Sequence, residues 1–213
     1  QCPFKHLVRF CLGARPREEA RVDAPGTGLL LHEGIEQLSR VALMGQWDFE
    51  NLETEELEAR SDALADNILP RYFAGKLGES GRGRYLSDRF KKTLRRSAGL
   101  LARQMRESGF ELKHVELDFG GESQLPALKV PLPGGGEVWL FGRIDRIDVL
   151  HGPQGDSLRV IDYKSGQAAF SLRDVYFGLR IQLPAYLNAA LNGLPGAHKR
   201  PAGMFYFALR DPQ

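Results

Sequence analysis

The sequence has few cysteines and no long apolar run, and each absence narrows the class of protein. Two cysteines, Cys2 and Cys11, are too few for a disulfide framework in 213 residues, and their spacing matches no zinc-binding pattern. No apolar stretch reaches the roughly 18 residues that a membrane span needs, and none resembles a signal peptide. We therefore expect a cytoplasmic protein that has no membrane partner.

An excess of one charge is also absent. The 29 basic and 27 acidic residues leave a net charge of +2, which is too mild to indicate nucleic-acid binding by itself. The basic residues are unevenly spread, however, because residues 82–106 hold nine of them and a single acid, Asp88. This basic stretch is either a solvated helix face or a phosphate-facing surface, and the sequence leaves both interpretations open.

What the sequence does have is an ordinary globular composition, with 42% apolar and 26% charged residues, and a change of periodicity near residue 109. The first part has helical spacing and the second part has mostly strand-like alternation, which predicts a mixed α/β or α+β fold with a sheet flanked by helices. The predicted helices cover residues 3–12, 29–44, 54–73, 84–108, 172–178 and 181–192, and the predicted strands cover 111–119, 125–132, 137–150, 158–164 and 203–209. Because the chain opens without methionine in what reads as mid-helix, we expect a piece excised from a longer protein.

Two of the predicted strands flank residues 151–157, which are rich in turn-forming residues and therefore indicate a β-hairpin. Paired positions in an antiparallel hairpin add up to a constant, and a hairpin centred on Pro153 and Gln154 gives a sum of 307. Asp145 and Asp162 have this sum. The sequence therefore predicts that the two carboxylates lie opposite each other, with their Cβ atoms about 5 Å apart.

Lys164 lies two residues beyond Asp162, so the strand period places it on the same face. Two carboxylates this close repel each other, and a divalent cation of the Mg²⁺ or Mn²⁺ type would relieve the repulsion. With a nearby ammonium, such a site suits metal-assisted hydrolysis of a phosphodiester. The alternative is that Asp145 and Asp162 are exposed acids paired with Arg143, Arg146 and Lys164. Burying charged groups within such apolar strands costs free energy, which favours a functional role for these carboxylates over the exposed-acid alternative.

The order of these motifs resembles the RecB-like branch of the PD-(D/E)XK nucleases. The chain has Gly-Arg-Ile-Asp ending at Asp145, Asp-Tyr-Lys-Ser-Gly beginning at Asp162, and the Gln-x-x-x-Tyr pair Gln182 and Tyr186. His32, in a predicted N-terminal helix, fits the remaining motif of that branch. A lone Asp-x-Lys is weak evidence, whereas the ordered set is specific.

The resemblance implies a restriction-endonuclease-like core, in which a central mixed sheet is flanked by helices. One nuclease domain over 1–213 would then comprise a mainly helical wall at 1–109 and a catalytic sheet core at 110–213. It also implies that Lys164 is the catalytic lysine, and that Gln182 and Tyr186 line the site and hold the DNA strand. The implied metal ligands are His32, Asp145, Asp162 and the backbone carbonyl of Tyr163. Glu116 would support the site or pair with an arginine, and Arg143 and Arg146 would contact carboxylates or phosphate rather than the metal.

The opening residues 2–7, Cys-Pro-Phe-Lys-His-Leu, resemble the start of the nuclease domain of AddB-type helicase–nuclease subunits. That resemblance implies a helicase–nuclease partner subunit, a single strand of DNA as substrate, and end resection in recombination repair. It also implies that Cys2 is the first ligand of a 4Fe–4S cluster in the parent protein, whose other three cysteines would lie beyond Gln213. Two alternatives are a stand-alone or CRISPR-associated RecB-like exonuclease, and a DNA-binding scaffold without turnover.

Overall fold

The structure is a computed structural model that describes residues 24–72, 80–166, 170–196 and 198–209. Its N-terminal half is helical, as predicted, and consists of α1 (Ala24–Leu43), α2 (Thr54–Tyr72) and α3 (Gly81–Ser108). The helix predicted at 3–12, together with Cys2 and Cys11, lies outside the described residues. No helix in the described part of the chain is long and apolar enough to cross a membrane.

The ends of these helices follow from local sequence. Helix α1 begins five residues before the predicted start. Pro25 is compatible with this start, because the N–H that proline lacks has no hydrogen-bond partner in the first turn of a helix. Helix α3 begins after Ser80, whose Oγ accepts a hydrogen bond from the Gly83 N–H at 3.0 Å. The same helix ends at Gly109, which takes the left-handed conformation at φ +61° that glycine adopts without a steric penalty.

A four-stranded mixed sheet forms the second half and confirms the predicted fold class. Its strand order is β1-β4-β5-β6, with β5 and β6 parallel and the other neighbours antiparallel. Strands β2 and β3 form a separate antiparallel hairpin. The elements are β1 (Glu111–Phe119), β2 (Leu128–Pro131), β3 (Glu137–Leu140), β4 (Gly142–Leu150), β5 (Ser157–Lys164), α4 (Leu172–Tyr176), α5 (Gln182–Gly193) and β6 (Arg200–Ala208).

The single strand predicted over 137–150 is wrong, because the chain changes sheets at Phe141. Before that residue β3 pairs with β2, and after it β4 pairs with β1 and β5. Gly142 lies against the Phe119 ring so closely that a Cβ there would come within 2.8 Å of a ring carbon, which fixes where β4 enters the main sheet. The strand predicted over 125–132 is shorter than expected, since only its second half pairs as β2.

The sheet separates two hydrophobic clusters, and β5 contributes to both. Ile161 and Tyr163 enter the cluster formed with α1, α2 and α3, whereas Leu158 and Val160 enter the cluster formed with α5. Successive strand side chains point to opposite faces. The alternation therefore places Asp162, two residues beyond Val160, on the side of the sheet that faces α5.

Two side chains of the basic stretch at 82–106 form ion pairs with acids of α2. Arg95 makes a two-pronged contact with Asp62 of α2, at 2.6 and 2.5 Å, and Lys91 lies 2.7 Å from Asp66. The Arg95 guanidinium also lowers the pKa of the Asp62 carboxyl. Arg95 and Lys91 thus neutralise two acids of α2. This favours the interpretation of this part of α3 as a helix face over its interpretation as a surface that binds phosphate.

Candidate active site

The register of the β4–β5 hairpin is the one predicted from the sequence. All pairs from Arg146↔Ile161 to Leu150↔Ser157 add up to 307. Asp145 is the next residue of β4 beyond this ladder, and its Oδ2 accepts a hydrogen bond from the Tyr163 N–H at 2.7 Å. The carboxylate of Asp145 is thereby held against the end of β5, one residue away from Asp162.

Asp162 is a buried carboxylate that pairs with Lys164. The residue is 1% exposed, and its Oδ2 lies 2.5 Å from the Lys164 Nζ in an ion pair. Burial raises the pKa of Asp162, and the neighbouring Lys164 ammonium opposes the rise. A buried carboxylate in this state favours the approach of further positive charge.

The ammonium of Lys164 is oriented by a chain of hydrogen bonds from α5. Lys164 Nζ donates to Gln182 Oε1 at 2.9 Å, and Gln182 Nε2 donates to the Tyr186 hydroxyl at 2.9 Å. Gln182 is the first residue of α5 and Tyr186 lies four residues on, so both side chains share one helix face. The Tyr186 ring packs edge-to-face against the Phe119 ring, with centroids 6.0 Å apart, and this contact holds the Tyr186 end of the hydrogen-bonded series in place.

Helix α1 brings two further polar residues to the same place. Burial lowers the pKa of His32, the Asp162 charge raises it and the Lys164 charge lowers it again, so the ring lies within electrostatic reach of both groups. Glu36 lies one turn later. Its charge contributes to raising the pKa values of Asp145 and Glu116, and its carboxylate pairs with Arg40 at 2.8 Å. Glu36 is not among the residues predicted from the sequence, although its four-residue spacing from His32 on a predicted helix was a signal that could have found it.

Glu116 lies on β1 beside these acids, in an unusual backbone conformation. Its φ of +52° falls in the left-handed region that non-glycine residues seldom occupy. Burial, followed by the charges of Asp145 and Glu36, raises the pKa of Glu116 to about 7, while Arg143, 3.7 Å from its Oε2, lowers it. Burial likewise raises the pKa of Asp145 to about 6. Acids therefore outnumber their nearby cations at this end of the sheet.

A pH dependence of stability follows from Glu116. The folded chain holds this proton up to about pH 7, whereas the unfolded chain releases it near 4.5, so the folded state binds more protons between these values. We expect the free energy of unfolding of the metal-free chain to fall as the pH rises through this window, and to fall less in Glu116→Gln. Urea unfolding at pH 5 and pH 8 measures both changes.

The control for this measurement is Glu107→Gln, because Glu107 is an exposed acid of α3 whose ion pair within the described residues is with its neighbour Arg103. Its variant should keep the fall seen in the parent chain. An equal fall in the free energy of unfolding in Glu116→Gln and in the parent chain would contradict the assignment of this pH dependence to Glu116.

Arg143 and Arg146 both contact carboxylates, but only Arg143 lies near the site. Arg143 is exposed and binds Asp118 with two hydrogen bonds, at 2.6 and 3.1 Å. Arg146 is 2% exposed and binds the buried Asp148 at 2.6 and 2.8 Å. Residue 146 follows Asp145 directly, so strand alternation sends its side chain into the interior, where no phosphate can reach it. We therefore leave Arg146 out of the candidate site.

Comparison with known proteins decides the family. The profile described as the PD-(D/E)XK nuclease superfamily matches residues 1–213. The chain belongs to the PD-(D/E)XK nuclease superfamily.

Three curated relatives, each named as a subunit of an ATP-dependent helicase/deoxyribonuclease, are similar to almost the entire chain. The protein of Desulforudis audaxviator is 37% identical over 214 residues, covering 99% of this chain and 18% of the relative. That of Clostridium tetani is 34% identical over 215 residues (100% and 19%), and that of Moorella thermoacetica is 37% identical over 218 residues (99% and 19%). The predicted resemblance to AddB-type subunits is thereby confirmed, and the chain spans less than a fifth of these relatives' length.

PD-(D/E)XK nucleases generally use divalent metal ions, and the residues of this site fit such an ion in donor chemistry. Burial raises the pKa values of Asp145 and Asp162 even though the Lys164 ammonium lies 2.5 Å from the Asp162 Oδ2, so the carboxylate pair can accept further positive charge. Across residues 24–72, 80–166, 170–196 and 198–209, no three His, Cys, Asp or Glu side chains converge tightly enough to hold one ion as they stand. Ligation would therefore require side-chain rotations.

Proposed function

We propose that this chain is a metal-dependent deoxyribonuclease of the exonuclease type, which hydrolyses DNA phosphodiester bonds with Mg²⁺ or Mn²⁺. The observation that carries the proposal is the linked set of Asp162, Lys164, Gln182 and Tyr186, with Asp145 held beside it by the backbone of β5. Nothing in the packing of a sheet against a helix requires a buried carboxylate, an ammonium and an amide in series. Their presence disfavours a scaffold without turnover.

The metal ligands in this proposal are His32, Asp145, Asp162 and the backbone carbonyl of Tyr163. Carboxylate and carbonyl oxygens are the donors that Mg²⁺ and Mn²⁺ prefer. When bound, the cation supplies positive charge to a phosphate whose negative charge grows during the reaction. The Tyr163 N–H fixes Asp145 through the 2.7 Å hydrogen bond, so this carboxylate needs little reordering to bind.

Lys164 is proposed as the catalytic lysine. Its Nζ, held by Gln182 on one side and Asp162 on the other, can donate a hydrogen bond to the attacking water or to a phosphate oxygen. Gln182 and Tyr186 are proposed to line the path of the DNA strand, since both belong to the exposed or half-buried face of α5. Glu116 and Arg143 are proposed to support the charge balance around Asp145.

Residues 1–213 are proposed to form one nuclease domain within a longer subunit of a helicase–nuclease complex, which resects DNA ends for recombination repair in the cytoplasm. The relatives are named as subunits of a helicase/deoxyribonuclease, and this name supports the setting over a stand-alone or CRISPR-associated exonuclease. In that setting the partner is the other helicase–nuclease subunit, and the substrate is a single strand. The parent protein is also proposed to carry a 4Fe–4S cluster that includes Cys2.

A nuclease assay tests the proposal. We expect the chain to cleave a 5′-labelled single-stranded oligonucleotide in Mg²⁺ or Mn²⁺ and to stop when EDTA is added, because the carboxylate pair needs a cation to accept a phosphate. Gel analysis over time measures the rate and shows whether products shorten from one end. Equal cleavage with and without EDTA would rule out the metal-dependent mechanism.

A further inference from the structure

A cluster of exposed apolar side chains lies immediately before α5. Residues 170–181 carry six large apolar side chains that are between 45% and 85% exposed, and none of the residues of α4 within this segment is buried. Exposed apolar side chains that are concentrated in one short segment are typical of a binding surface. The six residues are Phe170, Leu172, Tyr176, Phe177, Leu179 and Ile181.

The segment has a defined local structure although it is not held by the core. Ser171 Oγ accepts a hydrogen bond from the Asp174 N–H at 3.2 Å, and the carbonyl of Asp174 accepts from the Leu179 N–H at 2.8 Å. The chain turns back at Gly178, whose φ of +68° lies in the left-handed region. The apolar side chains are thus presented in a fixed arrangement, which lowers the entropy cost of binding.

Two aromatic rings at the tip of the segment form a stacking surface. The Tyr176 and Phe177 rings meet edge-to-face with centroids 5.2 Å apart, and they are 85% and 63% exposed. Arg173 and Arg180 flank them, and the acid between them, Asp174, is paired with Arg180 at 3.2 Å. Aromatic faces with basic side chains beside them are the chemistry that binds single-stranded nucleic acid, because each base has a π-face and each linkage has a phosphate.

The segment is also continuous with the candidate active site. Ile181 directly precedes Gln182, whose Oε1 accepts the hydrogen bond from Lys164. Five residues separate Tyr176 from Gln182, so their Cα atoms lie within about 22 Å of each other even if the chain were fully extended. A strand that stacks on the rings therefore reaches Lys164 within a few nucleotides.

We propose that residues 170–181 form a platform on which the bases of a single DNA strand stack as the strand enters the site at Lys164. This inference rests on the proposed deoxyribonuclease function and adds to it the surface that selects an unpaired strand. Two arginines against one acid give residues 170–181 a net charge of +1, which complements the phosphates of a strand and favours DNA over a protein partner as the occupant.

Binding without turnover tests the platform. In the full-length protein that carries this chain, Tyr176→Ala combined with Phe177→Ala should raise the Kd for a fluorescein-labelled thymidine oligonucleotide about 10- to 100-fold, as expected for lost base stacking. Fluorescence anisotropy in EDTA measures the Kd while cleavage is stopped. Exchanging the two side chains, as Tyr176→Phe with Phe177→Tyr, should keep the Kd near that of the parent protein.

The control is Trp139→Ala, because Trp139 is a comparably exposed aromatic residue on β3; it should leave the Kd unchanged. An unchanged Kd in the double alanine variant would overturn the platform, whatever the nuclease assay shows. Loss of the partner subunit in Leu172→Ala with Leu179→Ala, without a change in Kd, would identify the surface as a protein interface and would also overturn it. If the platform variants lose binding but the parent protein never cleaves in Mg²⁺, the proposed function fails and the binding surface stands.

Discussion

Asp162→Asn is expected to lower the cleavage rate by about 100- to 1000-fold and to raise the thermal stability of the metal-free chain. The loss of rate follows because the variant removes one of the two carboxylates proposed to bind the cation. The gain in stability follows because Asp162 is buried, and burial raises its pKa even with the Lys164 ammonium beside it. Removing that charge should be worth about 1 kcal/mol, or a rise in Tm of roughly 2–4 °C at this chain length.

Two measurements on the same protein check this prediction. A single-stranded cleavage assay in Mg²⁺ gives the rate, and a thermal melt in EDTA gives the Tm. Addition of Mn²⁺ should then raise the Tm of the parent chain more than that of the variant, since binding to the folded state stabilises it. A variant that is both inactive and strongly destabilised would indicate that Asp162 acts in the fold and not as a ligand.

Lys164→Ala is expected to lower the cleavage rate by about 100-fold or more while leaving the chain folded. Lys164 is the single ammonium that bridges Asp162 and Gln182 among the described contacts, so the variant removes the group proposed to donate a hydrogen bond to the attacking water or to a phosphate oxygen. Its side chain is about one-third exposed, which limits the loss of packing. The pKa of Asp162 should rise further in the variant, because the charge that lowers it is gone.

Lys113→Ala is the matched control for this variant. Lys113 is an exposed lysine of β1 that forms a loose ion pair with Glu111, at 3.9 Å, in the described part of the chain. Its removal should change neither rate nor stability measurably. A Lys164→Ala chain that cleaves at the rate of the Lys113→Ala chain would exclude a catalytic lysine at this position.

The register of the central hairpin could be predicted from the sequence because it depends on local features. The turn residues at 151–157 fix the loop, and the period of two then determines which side chains share a face. The placement of Asp145 of β4 beside Asp162 and Lys164 of β5, at one end of the hairpin, followed from these two rules alone. Gln182 and Tyr186 came instead from the resemblance, since no local rule brings α5 to the end of a strand.

Features that depend on contacts between distant segments could not be predicted in this way. The chain breaks at Phe141, next to the point where Gly142 of β4 packs on Phe119 of β1; an isolated glycine signals a close approach, but the sequence does not say to which residue. The burial of Arg146 depends on Asp148 and on the helices that cover that face. Glu36 acts on the Asp145 carboxyl because α1 packs against β1 and β5, which is a contact between distant segments, although its spacing from His32 was visible in the sequence.

The measurement that tests the central claim most directly is cleavage of a labelled single-stranded oligonucleotide in Mg²⁺ by the parent chain and by Asp145→Asn, side by side. The asparagine side chain keeps an oxygen that can accept the Tyr163 N–H, so the variant should retain the hydrogen bond that positions it and lose only the charge. We predict cleavage by the parent chain, none after EDTA is added, and background cleavage by Asp145→Asn. Cleavage by Asp145→Asn at the parent rate would contradict the assignment of a metal-dependent site to this pair of strands.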